Sequence, residues 1–182
     1  MKILSVFGIT GSGKTTTVEK VIAELKKRRY TVGTVKDIHF EAFRIDTEGS
    51  NTDRHYKAGA EIVTARGHYE TDILFKRKFG MEEIYRFYDC DWLVCEGVTD
   101  SNIPKIITAH NTAEIDERFN GSVFAVSGKI SNEIDEYAEL PVINALNETE
   151  KLVDLIEELV PDKLPDLPPE CCGKCGPGSC RK

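Results

Sequence analysis

Residues 6–28 read VFGITGSGKTTTVEKVIAELKKR, an apolar run, a glycine-rich turn and a helical rhythm in direct succession. Gly8-Ile9-Thr10-Gly11-Ser12-Gly13-Lys14-Thr15 satisfies G-x-x-x-x-G-K-[ST] at every fixed position. The apolar residues before it suit a buried strand. After it, Val18, Val21, Ile22 and Leu25 recur at i, i+3, i+4 and i+7, the stripe of a helix packed on a sheet. Glycines let backbone N–H groups converge on an anion without obstruction by a Cβ, and the helix N-terminus adds partial positive charge. The stretch therefore predicts a phosphate loop. Gly8, Thr10, Gly11, Ser12, Gly13, Lys14, Thr15 and Thr16 are its nucleotide-binding residues, with Lys14 bridging the β- and γ-phosphates and the Thr15 hydroxyl on Mg²⁺.

Working outward, apolar runs that suit strands recur: YTVGTVKDI, AEIVTAR, TDILFKR, DWLVCEG, PKIITAH, GSVFAVSG and LPVINAL. Several are continuous rather than alternating, as in strands buried on both faces of a parallel sheet. MEEIYRFY and SNEIDEYAEL read as short helices. NETEKLVDLIEELV reads as a longer one, with Leu152, Val153, Ile156 and Leu159 on one face. The alternation predicts an α/β fold of three layers, that of a P-loop NTPase with a mostly parallel sheet, over residues 1–160. From Pro161 the character changes, since residues 161–182 hold five of the seven prolines and no helical period. Residues 161–170 read as an extended linker. Residues 171–182 read as a small cysteine-rich element.

The chain of 182 residues carries a net charge of −7, which argues against general nucleic-acid binding because phosphate backbones demand a basic face. No apolar run approaches the roughly 20 residues of a membrane span. No targeting segment is visible before the loop, so a cytoplasmic location is expected. In that reducing setting six cysteines do not suggest a disulfide framework. Cys90 and Cys95 read as packing residues. Cys171, Cys172, Cys175 and Cys180 place four thiols within ten residues, enough for one Zn²⁺ or an Fe–S cluster. A redox-active thiol pair and a tail without function are the alternatives.

Two further acids are candidates for Mg²⁺ or the attacking water. In CDWLVCEGV, Glu96 ends an apolar strand, the position of a Walker-B-type carboxylate. Asp46 lies in the polar run VKDIHFEAFRIDTEGSNTDRHYKAGAEIV, where a loop sensing the γ-phosphate is expected. Lys36 there could meet a phosphate or an acidic substrate, and the helix after Gly49 is expected to be capped by Asn51 or Thr52. Lys14, Glu96 and Asp46 are thus the catalytic candidates. The segment FAVSGKISNE offers Ser127, Lys129 and Asn132 but no N-K-x-D, so these residues leave GTP and ATP both open.

Taken together, these residues resemble the molybdopterin-guanine dinucleotide biosynthesis protein B (MobB) family over roughly residues 1–160. Family members show a run close to D-x-x-G-K-D-S-x-R-H-x-x-A-G-A. Here DTEGSNTDRHYKAGA keeps Asp46, Gly49, Arg54, His55, Ala58, Gly59 and Ala60 in register. Lys36 and His39, Glu96-Gly97 and Pro104-Lys105-Ile106 match further family positions. Ser50, Asn51 and Thr52 replace the family's Lys-Asp-Ser, and the cysteine tail lies outside the common pattern. The resemblance implies a homodimeric GTP-binding protein with slow hydrolysis, assisting a molybdenum-cofactor nucleotidyltransferase that joins GMP to molybdopterin. Two other classes remain open from the residues alone. One is a metallocentre-assembly NTPase that delivers metal from the tail to a target metalloenzyme, and the other is a small-molecule kinase.

Overall fold

A computed structural model describes residues 1–162. The candidate tail cysteines and nearly all of the linker lie outside the described residues. The chain falls into two compact units, the first made of Met1–Lys36 with the chain from Tyr88 onward, the second of Asp37–Phe87.

In the first unit the apolar runs pair as a five-stranded parallel sheet in the order β2-β5-β1-β6-β7. The strands are β1 (Lys2–Gly8), β2 (Val32–Lys36), β5 (Trp92–Glu96), β6 (Lys105–Thr108) and β7 (Val123–Ser127). Strands β1, β5 and β6 are buried almost without interruption because helices cover both faces of the sheet. On one face, α1 (Lys14–Lys27) contributes Val18, Val21 and Leu25, and α5 (Thr149–Leu159) contributes Leu152, Val153 and Ile156. These pack on Leu4, Val6, Trp92, Val94, Ile106 and Ala125. On the other face, Phe7, Ile107, Ala109 and Val126 meet Ile115 of α4 (Thr112–Asp116) and Ile130. Burial of this apolar surface is the main stabilising term, and the alternation along β1 decides which side chain serves which face. Arg28 at the end of α1 joins it to α5 through Asp154 (2.7 Å) and Glu157 (2.5 Å).

Two local expectations in this unit are corrected. The segment 131–140 is not a helix. A 3₁₀ turn at Lys129–Asn132 precedes a small hairpin of β8 (Glu136–Tyr137) and β9 (Leu140–Pro141). Ala138 and Glu139 turn this hairpin with φ of 48° and 65°. Ile134, Tyr137 and Leu140 pack on the second core cluster, so the apolar spacing that suggested a helix serves the hairpin equally well. Leu159, expected on the buried face of α5, is 45% exposed because the helix ends there.

In the second unit, AEIVTAR and TDILFKR form β3 (Ile62–Arg66) and β4 (Thr71–Phe75), an antiparallel ribbon of their own rather than members of the parallel sheet. Ile62 and Ile73 are exposed on it. Phe75, Phe79 and Phe87 form an aromatic cluster with ring centroids 4.8–5.7 Å apart. The unit also holds α2 (Asn51–Lys57) and α3 (Met81–Tyr85). The cap of α2 is Ser50, whose hydroxyl accepts from the Asp53 N–H, and neither Asn51 nor Thr52. Ser50 has the extended backbone a cap requires, whereas Asn51 and Thr52 are already helical.

Candidate nucleotide-binding site

Parallel pairing brings the carboxyl ends of all five strands to one edge of the sheet, where ligands of open α/β sheets bind. The registers align Gly8 with Thr108, Val6 with Glu96, and Lys36 with Glu96. The chain leaves β1 at Gly8 and must turn at once into α1. Gly8 permits this turn: its φ is 147°, and a Cβ there would stand 2.0 Å from the Thr108 carbonyl oxygen. Gly13 caps α1 in the left-handed region, so the helix N-terminus opens directly from the loop.

Side chains then hold the loop in shape. The Ser12 hydroxyl is buried, donates to the Ile9 carbonyl (2.7 Å) and lies 2.7 Å from Thr108 Oγ1. The Lys14 ammonium donates to the carbonyls of Gly8 (3.0 Å) and Ile9 (2.7 Å). It thus spans the mouth of the loop. Burial pushes the Lys14 amine below the usual lysine range; the Glu96 carboxylate opposes that and Lys36 adds to it. From the other side the Lys129 N–H donates to the Ser12 carbonyl (3.0 Å), tying the end of β7 to the loop. Thr10, Gly11, Thr15 and Thr16 remain exposed.

Glu96 is 8% exposed, and its Oε1 accepts from the Thr15 hydroxyl (2.9 Å) and from the Lys36 ammonium (3.0 Å). Sequence spacing suggested a carboxylate for this place. It gave no sign that Lys36, on the neighbouring strand, would be its partner; that follows only from the β2–β5 register. Thr15 and Glu96 supply hard oxygen donors side by side, one of them anionic, and a cation already rests on the carboxylate. That donor chemistry fits Mg²⁺.

Asp46 lies in the second unit. There its carboxylate accepts from the hydroxyls of Thr52 and Ser50 (both 2.8 Å), with Lys76 at 3.4 Å. Those hydroxyls and the lysine hold its pKa below the ordinary carboxylate value, against the cost of desolvation. Cys95 is wholly buried, and burial pushes its thiol up to about 12, so it is an inert packing residue. Lys105, from the Pro-Lys-Ile match, is buried. It donates to the carbonyls of Ser101 and Ile103, pinning the chain that follows Glu96. Among the described residues no cluster of three or more His, Cys, Asp or Glu is placed to hold a metal ion. No described helix is long and apolar enough to cross a membrane.

Residues 3–128 match the family described as molybdopterin guanine dinucleotide synthesis protein B. The chain belongs to that family. Among MobB relatives, a probable molybdopterin-guanine dinucleotide biosynthesis adapter protein of Bacillus subtilis is 26% identical over 147 residues, covering 79% of this chain and 85% of the relative. The corresponding adapter protein of Haemophilus influenzae is 28% identical over 165 residues, covering 85% and 87%. The crystal structure of Bacillus subtilis MobB shares the fold with a TM-score of 0.71 at 22% identity, covering 90% of this chain and all of that one. A MobB homolog from Bacillus stearothermophilus has a TM-score of 0.64 at 20% identity, covering 86% and 96%.

Proposed function

We propose that this protein is a GTP-binding adapter of molybdenum-cofactor biosynthesis that hydrolyses GTP slowly. The observation carrying the nucleotide reading is the convergence of Thr15 and Lys36 on Glu96 beside a complete phosphate loop. The names of the MobB relatives support the pathway. In this reading the loop N–H groups and Lys14 neutralise the triphosphate. Thr15 and Glu96 would hold Mg²⁺, whereas the Asp46 carboxylate is engaged by Ser50, Thr52 and Lys76 within the second unit. When bound, that ion would spread the negative charge developing on the phosphates. Glu96 orients the attacking water, and Lys36 is released to the phosphates when the nucleotide arrives. Catalysis is then positioning and electrostatics rather than covalent chemistry. The adapter acts in the cytoplasm as a homodimer on a nucleotidyltransferase or a target metalloenzyme. A titration of the full chain with GTP and ATP in magnesium, followed by phosphate release, tests this. Binding of neither nucleotide ends it, and a strong ATP preference replaces GTP in it.

Glu96→Gln separates binding from hydrolysis. The amide keeps an oxygen for the Thr15 hydroxyl but carries no charge. Hydrolysis is expected to fall about a hundredfold, the range of a lost acid–base or water-orienting group, with GTP affinity kept within about tenfold. Single-turnover kinetics beside calorimetry reads both.

The same proposal gives the cysteines 171, 172, 175 and 180 a Zn²⁺ or Fe–S site. Four thiols within ten residues and the C-x-x-C spacing of Cys172 and Cys175 support it. Replacing Cys172 and Cys175 together by Ser is expected to remove at least nine-tenths of the metal from anaerobically purified protein, with GTP affinity unchanged. Metal analysis showing none in the parent protein would discard the site.

A further inference from the structure

Beside the phosphate loop stands a histidine that the motif does not contain. Strand β6 ends with Thr108 in register with Gly8, so the next residues, Ala109 and His110, run alongside the loop. Ala109 is wholly buried; its N–H donates to the Ser127 carbonyl and its carbonyl accepts from the Ile130 N–H (3.0 Å). His110 therefore leaves from a fixed point. Glu114 holds it twice. The His110 backbone N–H donates to Oε2 (2.8 Å), and ring Nδ1 lies 3.1 and 3.2 Å from the two carboxylate oxygens. Both contacts with His110 favour the ionised form of Glu114. An ionised carboxylate only accepts, so Nδ1 carries hydrogen and Nε2 is the free end of the ring.

That free end is turned toward the loop. Nε2 lies 3.8 Å from the point a Cβ on Gly11 would occupy, and Gly11, at φ 78°, has none. The side chain is 33% exposed, so a ligand can reach it. Beginning α4 does not require the ring. The Asn111 side chain accepts from the Glu114 N–H (3.1 Å), and the His110 main chain already binds the Glu114 carboxylate. What remains for the ring is a contact outside the helix, on the Gly11 flank, while Lys14 sits on Gly8 and Ile9.

We propose that His110, oriented by Glu114, is a phosphate-binding residue of this nucleotide site. The proposal rests on the nucleotide reading above. With a carboxylate on Nδ1 and a phosphate oxygen on Nε2, the ring is held as imidazolium, and Nε2–H donates a charge-assisted hydrogen bond. Glu114 is its positioning residue, as carboxylates are for histidines that serve a ligand through the other nitrogen.

The test is calorimetry on the full chain with magnesium and either GTP or inorganic tripolyphosphate, together with ring ¹⁵N NMR of labelled histidine. His110→Ala is expected to weaken both ligands about tenfold and His110→Gln about threefold, since the amide can still donate. Glu114→Gln should weaken both by about threefold. In the unsubstituted protein the His110 Nε2 resonance should move toward imidazolium on adding either ligand, a readout that a purely structural ring would not give. Unchanged affinities with a still resonance overturn the proposal while leaving the nucleotide reading intact. A loss confined to GTP also overturns it, because the contact would then be to the nucleoside. If the unsubstituted protein binds neither ligand, and Lys14→Ala is indistinguishable from it, both readings fall.

Discussion

Lys14→Ala removes GTP binding, with a loss of at least a hundredfold in affinity by calorimetry. Without ligand the Lys14 ammonium is satisfied by two loop carbonyls, Gly8 and Ile9, and stands partly withdrawn from water. A triphosphate offers it charged oxygens instead of neutral ones, so the gain on binding is a charge-assisted hydrogen bond in a partly desolvated place. Alanine forfeits that gain and leaves the phosphate charge opposed only by backbone dipoles. A hundredfold corresponds to about 3 kcal/mol, within reach of one such contact. Lys14→Arg should restore little. The guanidinium is a broad planar fork, and the space between the Gly8 and Ile9 carbonyls suits a compact ammonium. Circular dichroism should show the fold retained, because the core clusters lie within the layers and do not include Lys14. Unchanged affinity in Lys14→Ala would contradict the assignment of the loop itself.

How far the chain could be read beforehand depended on the range of the interaction. The loop, β1 and α1 were legible because their signals are local: glycines at fixed offsets, and an apolar stripe at helical spacing. Strands β5, β6 and β7 were legible as continuous apolar runs, and α5 as an amphipathic helix. The hairpin at 136–141 was misread because Ile134, Tyr137 and Leu140 satisfy a helical period and a turn alike, and residues 138 and 139 are not the glycines that announce such a turn. AEIVTAR and TDILFKR were legible as strands, but not as a separate ribbon, because pairing partners are not written in a single strand. Glu96 could be nominated from its place at a strand end. Its pairing with Lys36, and the approach of His110 to Gly11, depend on sheet order and register, which connect residues 60 and 99 positions apart. The same limit hid Gly128. In the sequence it is one glycine among fourteen, and only the packed loop shows what it does.

Gly128→Ala is accordingly expected to damage the protein more than any exposed substitution of the same size. Gly128 follows β7 with φ 85° and ψ −154°, a conformation open essentially to glycine alone that costs a residue bearing a Cβ roughly 1–3 kcal/mol. The added carbon would also meet the Ser12 carbonyl oxygen at 2.3 Å and Thr108 Cβ at 2.9 Å, with the Ala109 nitrogen at 3.2 Å. None of these is the free end of a flexible chain. The Ser12 carbonyl also accepts from the Lys129 N–H, so pushing it away breaks the bond that ties β7 to the loop. Strain, clash and lost hydrogen bond together should destabilise the fold by about 2–4 kcal/mol, read as a lower urea midpoint with unchanged slope. The folded fraction should also bind GTP at least tenfold more weakly, because Ser12 cannot move without displacing its neighbours Gly11 and Gly13. Gly121→Ala is the control: no atom lies within 4 Å of its added carbon, and its stability should change by less than about 1 kcal/mol. Equal midpoints for the two variants would mean that the end of β7 does not brace the loop. The scaffold of the site would then have to lie in β1 and α1 alone.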